Sequence, residues 1–157
     1  MPHPLHRPTA MLVPPPLLYG GFFAAGWALH HAFTIPIISG NPSVLAWIGI
    51  VLFAAGLLLA LGSVGLFRHA HTTLIPHGRA TKLVTTGPYR ITRNPMYVSL
   101  TIMFLGGTAI INSYWPLILL AIPLFILNQI VIPYEEMQLR EIFPDYEAYA
   151  THVRRWI

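Results

Sequence analysis

The sequence predicts an all-α polytopic membrane protein, with about four transmembrane helices followed by an amphipathic helical segment at the cytoplasmic surface. Three observations lead there. Hydrophobic residues make up 55% of the chain and charged residues 9%, with a mean hydropathy of +0.61, whereas soluble domains carry about 25% charged residues. The charges are segregated, and no acidic residue precedes Glu135. Between the charged clusters lie apolar stretches able to cross a hydrocarbon core of roughly 30 Å. This composition excludes a soluble globular domain and a disordered chain. The absence of cysteine excludes a disulfide framework, thiolate metal ligands and a cysteine nucleophile. The length fits a single domain, 1–157.

The spans follow from the gaps between charges, because a charge at the bilayer centre costs roughly 2.5–3.5 kcal/mol. The first is expected over about 17–38 and the second over 44–67, which is free of charge throughout. The third covers about 96–112 and the fourth about 114–133, with only Asn112-Ser113 between them, so these two form a tight hairpin. Four crossings put the start of the chain, the 68–95 loop and the 134–157 segment on one side. All nine Lys and Arg then fall on that side, and the positive-inside rule makes it the cytoplasm, with both termini there. The proline-rich start with Arg7 lacks a small-x-small cleavage site, so the first span is expected to stay in the mature protein.

From Tyr134 to Trp156, the residues Leu139, Ile142, Phe143, Tyr146, Tyr149, Val153 and Trp156 recur at three- and four-residue spacing, an amphipathic helical pattern. Pro144 is expected to start a second helix and bend the segment. Such a segment either lies along the interface or folds back over the loop as a lid.

The loop from Thr72 to Tyr97 carries the candidate chemistry. Gly87-Pro88 and Asn94-Pro95 impose turns, Tyr89 and Tyr97 supply amphipathic rings, and Arg90 and Arg93 bracket the second turn. Its simplest role is to hold anionic lipid head groups. Glu135 and Glu136 follow the fourth span directly. They either stabilise the first helical turn through its dipole, for about 0.3–1 kcal/mol each, or form a carboxylate pair that binds a cationic group. His30 and His31 point about 100° apart on a helix and cannot readily share an ion. His69-x-His71 with His77 has no carboxylate near it in sequence, so no metal site is expected. Gly49, Gly56, Gly62, Gly65, Gly106 and Gly107, with Ser63 and Thr101, suit close helix packing.

Two motifs, in order and separated by one hairpin, carry a resemblance over residues 72–156: L-V-T-T-G-P-Y-R-I-T-R-N-P-M-Y (83–97) and P-Y-E-E-x-x-L-x-x-x-F-x-x-Y-x-x-Y-x-x-x-V-R-R-W (133–156). Together they resemble the integral-membrane methyltransferases typified by isoprenylcysteine carboxyl methyltransferase and the phospholipid N-methyltransferases. The resemblance implies an S-adenosyl-L-methionine site at the cytoplasmic membrane surface. Carried over by position, Thr81, Lys82, Leu83, Val84, Tyr89, Asn94, Pro95, Met96, Tyr97, Glu135 and Glu136 are the implied cofactor-binding residues. Arg93 and Arg90 are the implied catalytic pair, orienting a substrate carboxylate or phosphate by bidentate contact. Asn94 stands where the family has histidine, Pro144 where it has glycine, and Val131 where the isoprenylcysteine enzymes carry a substrate-holding arginine.

The expected function is S-adenosyl-L-methionine-dependent methyl transfer to a lipophilic or membrane-embedded acceptor, isoprenylcysteine-methyltransferase-like. Its rivals are a phospholipid amine N-methyltransferase and a non-catalytic lipid-binding or transport protein. The expected partners are a lipophilic or lipidated substrate and membrane lipids, with no nucleic acid and the oligomeric state open.

Overall fold

The computed structural model describes residues 13–38, 41–69 and 82–157, His69 by its backbone alone. Among these residues every regular element is helical: α1 (Pro15–Ala32), α2 (Ser43–His69), α3 (Pro95–Ile110), α4 (Tyr114–Leu119), α5 (Ala121–Ile126), α6 (Ile132–Ile142) and α7 (Tyr146–His152). A 3-10 turn covers Gly87–Arg90, and a π-helical turn covers Leu127–Val131 between α5 and α6.

Two helices are long and apolar enough to cross a membrane, Ser43–Arg68 and the run Tyr114–Ile142; Pro95–Ile110 is a shorter apolar helix. In its most apolar stretch α2 is only 11% buried, where a core helix of a soluble protein would be mostly buried. Val44, Trp47, Val51, Leu58 and Leu61 lie exposed along it, an apolar face suited to lipid.

Contacts fix the helix directions. Gly49 lies against Gly106 and Ile110, and Gly56 against Ser99 and Met103, so α2 and α3 run antiparallel. Tyr19 meets Thr101 and Phe104 while Phe23 meets Phe104 and Gly107, so α1 runs parallel to α3. Gly26 lies on Pro116, and Tyr114 N–H bonds to Ile35 O, so α1 runs against α4. The result is an up-down-up-down bundle with a core of Tyr19, Phe104, Leu120, Leu127, Val131 and Ile132. Hydroxyls on these helices bond back to their own turns, as in Ser63 to Leu59 O and Thr108 to Phe104 O. That satisfies polar groups where water is absent.

Two boundaries differ from the sequence expectation. The first helix stops at Ala32, not 38, because Ile35-Pro36 disfavours continuation. Residues 37–38 instead bond to the Asn112 side chain in the α3–α4 turn, where Asn112 takes a left-handed φ of 49°. The last run does not end at 133 but continues to Ile142. Pro123 and Pro133 each remove an N–H and crowd the carbonyl four residues back. The chain absorbs this with a break at Leu120 and with the π turn, and does not unwind.

A methyl group on Gly106 would sit 2.6 Å from Phe53 N and 2.7 Å from Gly49 O, both backbone atoms, whereas at Gly62 it would meet open space. Gly106→Ala is therefore expected to destabilise the bundle by about 1–3 kcal/mol. Gly62→Ala should leave the Tm in detergent unchanged or raise it, and thermal unfolding of the two variants side by side checks both.

Candidate active site

Proline and glycine shape the loop that enters α3. Gly87 has φ +60°, and Leu66 Cδ1 lies 2.8 Å from where a Cβ would be, so only glycine fits between α2 and the turn. The turn buries Tyr89 edge-on against Phe67. Asn94 then occupies the N-cap position of α3 without a side-chain cap bond, with Pro95 at the first helical position, where no N–H is missed.

The two glutamates have different surroundings. Glu136 is 3% exposed and carries an ionic network. Arg155 forks onto it, Nε to Oε1 at 2.9 Å and Nη2 to Oε2 at 2.7 Å. Arg93 Nη1 lies 3.2 Å from Oε1, and Arg140 Nη2 3.8 Å from Oε2. Glu135, one residue earlier, accepts a 2.6 Å hydrogen bond from the Tyr97 hydroxyl. Since helix neighbours point about 100° apart, the pair divides: Glu136 faces the loop and the 146–156 segment, and Glu135 faces α3.

That segment folds back over the loop. Phe143 is extended, Pro144 and Asp145 form a turn, and α7 begins at Tyr146, two residues later than the expected start at Pro144. Thr92 pairs with Arg154 in an isolated parallel bridge, and Arg93 N–H donates to Arg154 O at 2.8 Å. Thr92 Oγ1 and Asn94 Nδ2 both donate to Arg155 O, at 2.8 and 3.1 Å. The Tyr149 hydroxyl donates to Tyr89 O at 2.6 Å. Trp156 Nε1 donates to Asn128 Oδ1 in the π turn at 3.3 Å. Burial raises the Tyr146 phenol above its usual range, and the Glu136 charge adds to this. The Tyr149 phenol is pushed up to about 12, mainly by burial, with Tyr146 beside it. Both stay neutral hydrogen-bond donors at physiological pH. Tyr89 is likewise raised, by burial first and then by Tyr149 and Glu135.

The positions singled out in the sequence separate accordingly. Tyr89, Tyr97 and Glu135 gather at the loop end of α3, and Leu83, Val84 and Met96 are half-buried. Pro95 is fully buried as a helix start. Arg93 and Glu136 are engaged with each other, and Arg90 and Lys82 are exposed. Thr81, His71 and His77 lie outside the described residues. Among the described residues no three His, Asp or Glu side chains could hold a metal. The sequence reading did not single out Arg155 or Gln138. Arg155 completes the ion network, and Gln138 lies one turn beyond Glu135. Its Oε1 is buried with no hydrogen-bond partner, as is Arg93 Nε. The i, i+3 spacing from Glu135 was the available signal for Gln138.

The sequence pattern of the phospholipid methyltransferase family matches residues 44–146, from the start of α2 to the first residue of α7. The chain belongs to the phospholipid methyltransferase family. Two curated relatives are also similar to this chain. One is the nickel-cobalt-cadmium resistance protein NccN of Alcaligenes xylosoxydans xylosoxydans, 32% identical over 105 residues, which cover 66% of this chain and 48% of the relative. The other is the cobalt-zinc-cadmium resistance protein CzcN of Cupriavidus metallidurans, 33% identical over 106 residues, with the same coverage. The chain spans about half the length of these relatives. No solved structure matches it. Among phospholipid methyltransferase family features, the match takes in the loop, Tyr97 and both glutamates, but not Arg155 or Trp156.

Among the described residues, Glu136 is the carboxylate set against Arg93, Arg140 and Arg155 together. Removing one partner of a buried ion pair costs about 3–5 kcal/mol, and the partial exposure of Arg140 and Arg155 lowers that here. Glu136→Ala is therefore expected to cost about 3 kcal/mol and to release residues 146–156, read as faster amide hydrogen exchange there. Tyr149→Phe, which loses one neutral hydrogen bond, should cost about 1 kcal/mol.

Proposed function

We propose that this protein is an S-adenosyl-L-methionine-dependent methyltransferase that modifies a lipophilic, membrane-embedded acceptor at the membrane surface. The observation that carries the reading is the 2.6 Å Tyr97–Glu135 hydrogen bond. It joins two motifs 38 residues apart, at the end of the bundle where the loop and the 146–156 segment meet.

The residues present fit the cofactor. S-adenosyl-L-methionine carries an ammonium and an adenine amine as donors, and a carboxylate as acceptor. Glu135 offers a carboxylate, Gln138 Oε1 a buried acceptor without a partner, and Arg93 Nε a buried donor without one. Glu135, Tyr97, Gln138 and Tyr89 would hold the group, with Leu83, Val84 and Met96 lining the approach. When bound, the cofactor would supply an electrophilic methyl carbon to an acceptor lone pair, with its thioether as the leaving group. The protein's share is alignment and dryness, and good alignment alone is worth about 7–11 kcal/mol. Tyr97 fixes the Glu135 carboxylate before any ligand arrives. The Arg93–Glu136–Arg155 network acts one step back, positioning the loop and covering it from water.

Within the family, the reading favours an acceptor other than a prenylcysteine carboxylate. Val131, where the isoprenylcysteine enzymes carry arginine, is 4% exposed in the bundle core and offers no cation. A metal-handling role, which the names of the two relatives would suggest, has no favouring observation among the described residues. We further place four crossings in the bilayer, with the loop and residues 134–157 on the cytoplasmic side; the alternating helix directions and the confinement of Lys and Arg to one side support this.

Calorimetry on detergent-purified protein should show saturable one-site binding of S-adenosylhomocysteine. Glu135→Ala should weaken it at least tenfold, about 1.4 kcal/mol. No binding by folded, monodisperse wild type would overturn the reading. Asn94→His, which keeps a donor for Arg155 O, should bind within about threefold of wild type, and Asn94→Ala more weakly, since a lost hydrogen bond is worth about 1 kcal/mol. The absence of native cysteine allows a direct topology test. In intact cells a membrane-impermeant maleimide should label Asn41→Cys and not Lys82→Cys, and the reverse pattern would invert the orientation.

A further inference from the structure

The last membrane helix carries a groove that the site above does not use. Ala121, Leu124 and Phe125 form one end; Asn128, Gln129 and Trp156 form the other, around a volume of about 540 Å³. Their spacing puts them on one face of the run from α5 into the π turn. Pockets for drug-sized molecules run about 300–1,000 Å³, so the space suits one aliphatic chain with a compact head and is small for a diacyl lipid.

The groove is graded along its length. Phe125 is 64% exposed at the apolar end, so the groove opens sideways to lipid. At the other end two consecutive carboxamides line it, which a regular α turn would point about 100° apart; π turns of this kind recur at functional sites. Polar side chains inside a membrane helix are costly and mark ligand paths. Asn128 Oδ1 already accepts one hydrogen bond from the Trp156 indole, which leaves Asn128 its N–H donors and one acceptor lone pair, while Gln129 offers a donor and an acceptor. Among the described residues, none that lines the groove is charged. The nearby guanidinium of Arg155 is committed to Glu136.

We infer that this groove seats the methyl acceptor, and that the acceptor is a single-chain amphiphile with a neutral, hydrogen-bonding head. This rests on the methyltransferase reading. Its chain lies along Ala121–Phe125, and its head meets Asn128 and Gln129. Gln129 is six residues from Glu135 on one continuous helical run, about 9 Å along the axis, so the head lies within two helical turns of the proposed cofactor site. An anionic head would meet no cation in the groove and would lose its hydration uncompensated.

The test is photo-crosslinking of the purified full chain in nanodiscs, using a monoacylglycerol with a diazirine on its chain. A diazirine fatty acid serves as the anionic comparison, and labelled peptides are mapped by mass spectrometry. The monoacylglycerol should label residues 121–129 or Trp156 at least fivefold over α2, and the fatty acid should not. Ala121→Trp, which fills the groove, and Gln129→Leu, which removes its exposed amide, should each reduce that labelling at least fivefold. Both positions are exposed, so the fold is expected to survive. Equal labelling of all lipid-facing helices, or labelling that both variants retain, would overturn the site. Preferential labelling by the fatty acid would overturn the neutral head. S-adenosylhomocysteine binding measured on the same samples separates the two readings. Its absence from wild type sinks the methyltransferase proposal, whereas its retention in both variants with unchanged lipid labelling sinks only the groove.

Discussion

The arrangement at the loop end of the bundle depends on one buried carboxylate. Taking an ionised group out of water is prohibitive unless it is paired and hydrogen-bonded, and Glu136 is 3% exposed. Its partners come from three places: Arg93 just before α3, Arg140 on its own helix, and Arg155 beyond α7. Arg93 and Arg155 reach it only when loop, helix and the returning segment are in register together. The backbone bonds from Arg93 N, Thr92 Oγ1 and Asn94 Nδ2 to residues 154–155 then follow from that register. Glu135 is released from structural duty by the same arrangement, because its neighbour already carries the ion network.

The bundle below holds the loop from the other side. α2 and α3 approach closely where glycine faces backbone, at Gly49 and Gly106, and this brings Leu66 and Phe67 beneath Gly87 and Tyr89. The loop is thus clamped between a helix end and a folded-back strap. In the last helix, the break at Leu120 and the π turn absorb two prolines without ending the helix. The result is a continuous run on which the groove, Glu135 and Glu136 follow one another within sixteen residues of Ala121.

Much of this is legible in the sequence, for physical reasons. The α2 helix is written in the uncharged apolar run 44–67, and the Asn112-Ser113 turn in a polar pair between two apolar runs. The loop and the double glutamate stand out because each joins turn-forming and charged residues at a span boundary. What escapes is long-range pairing. Glu135 and Glu136 read as equivalent, and only the 100° between them, set against Tyr97 on one side and Arg93 on the other, makes one a ligand candidate and the other a strut. Arg93 reads as a substrate anchor, and only the third dimension shows its guanidinium against Glu136. Arg155 is one of two adjacent arginines, with nothing local to say which turns inward. The π turn has no periodic signature, since Asn128-Gln129 in an apolar run reads simply as two polar interruptions.

Asn94 shows how a departure from a family pattern can be decided by geometry. A histidine there would bring a titratable ring, but the structure asks the position for one donor to Arg155 O, and the amide supplies it. The other groups that hold the strap are of the same kind: the Thr92 hydroxyl, a Tyr149 phenol pushed up to about 12, and an Arg155 guanidinium raised further by its hydrogen bonds to Glu136. None of these donors changes protonation near neutral pH. Among the described residues, with asparagine at 94, the donors binding the strap to the loop are amides, hydroxyls and a backbone N–H, none of them an imidazole.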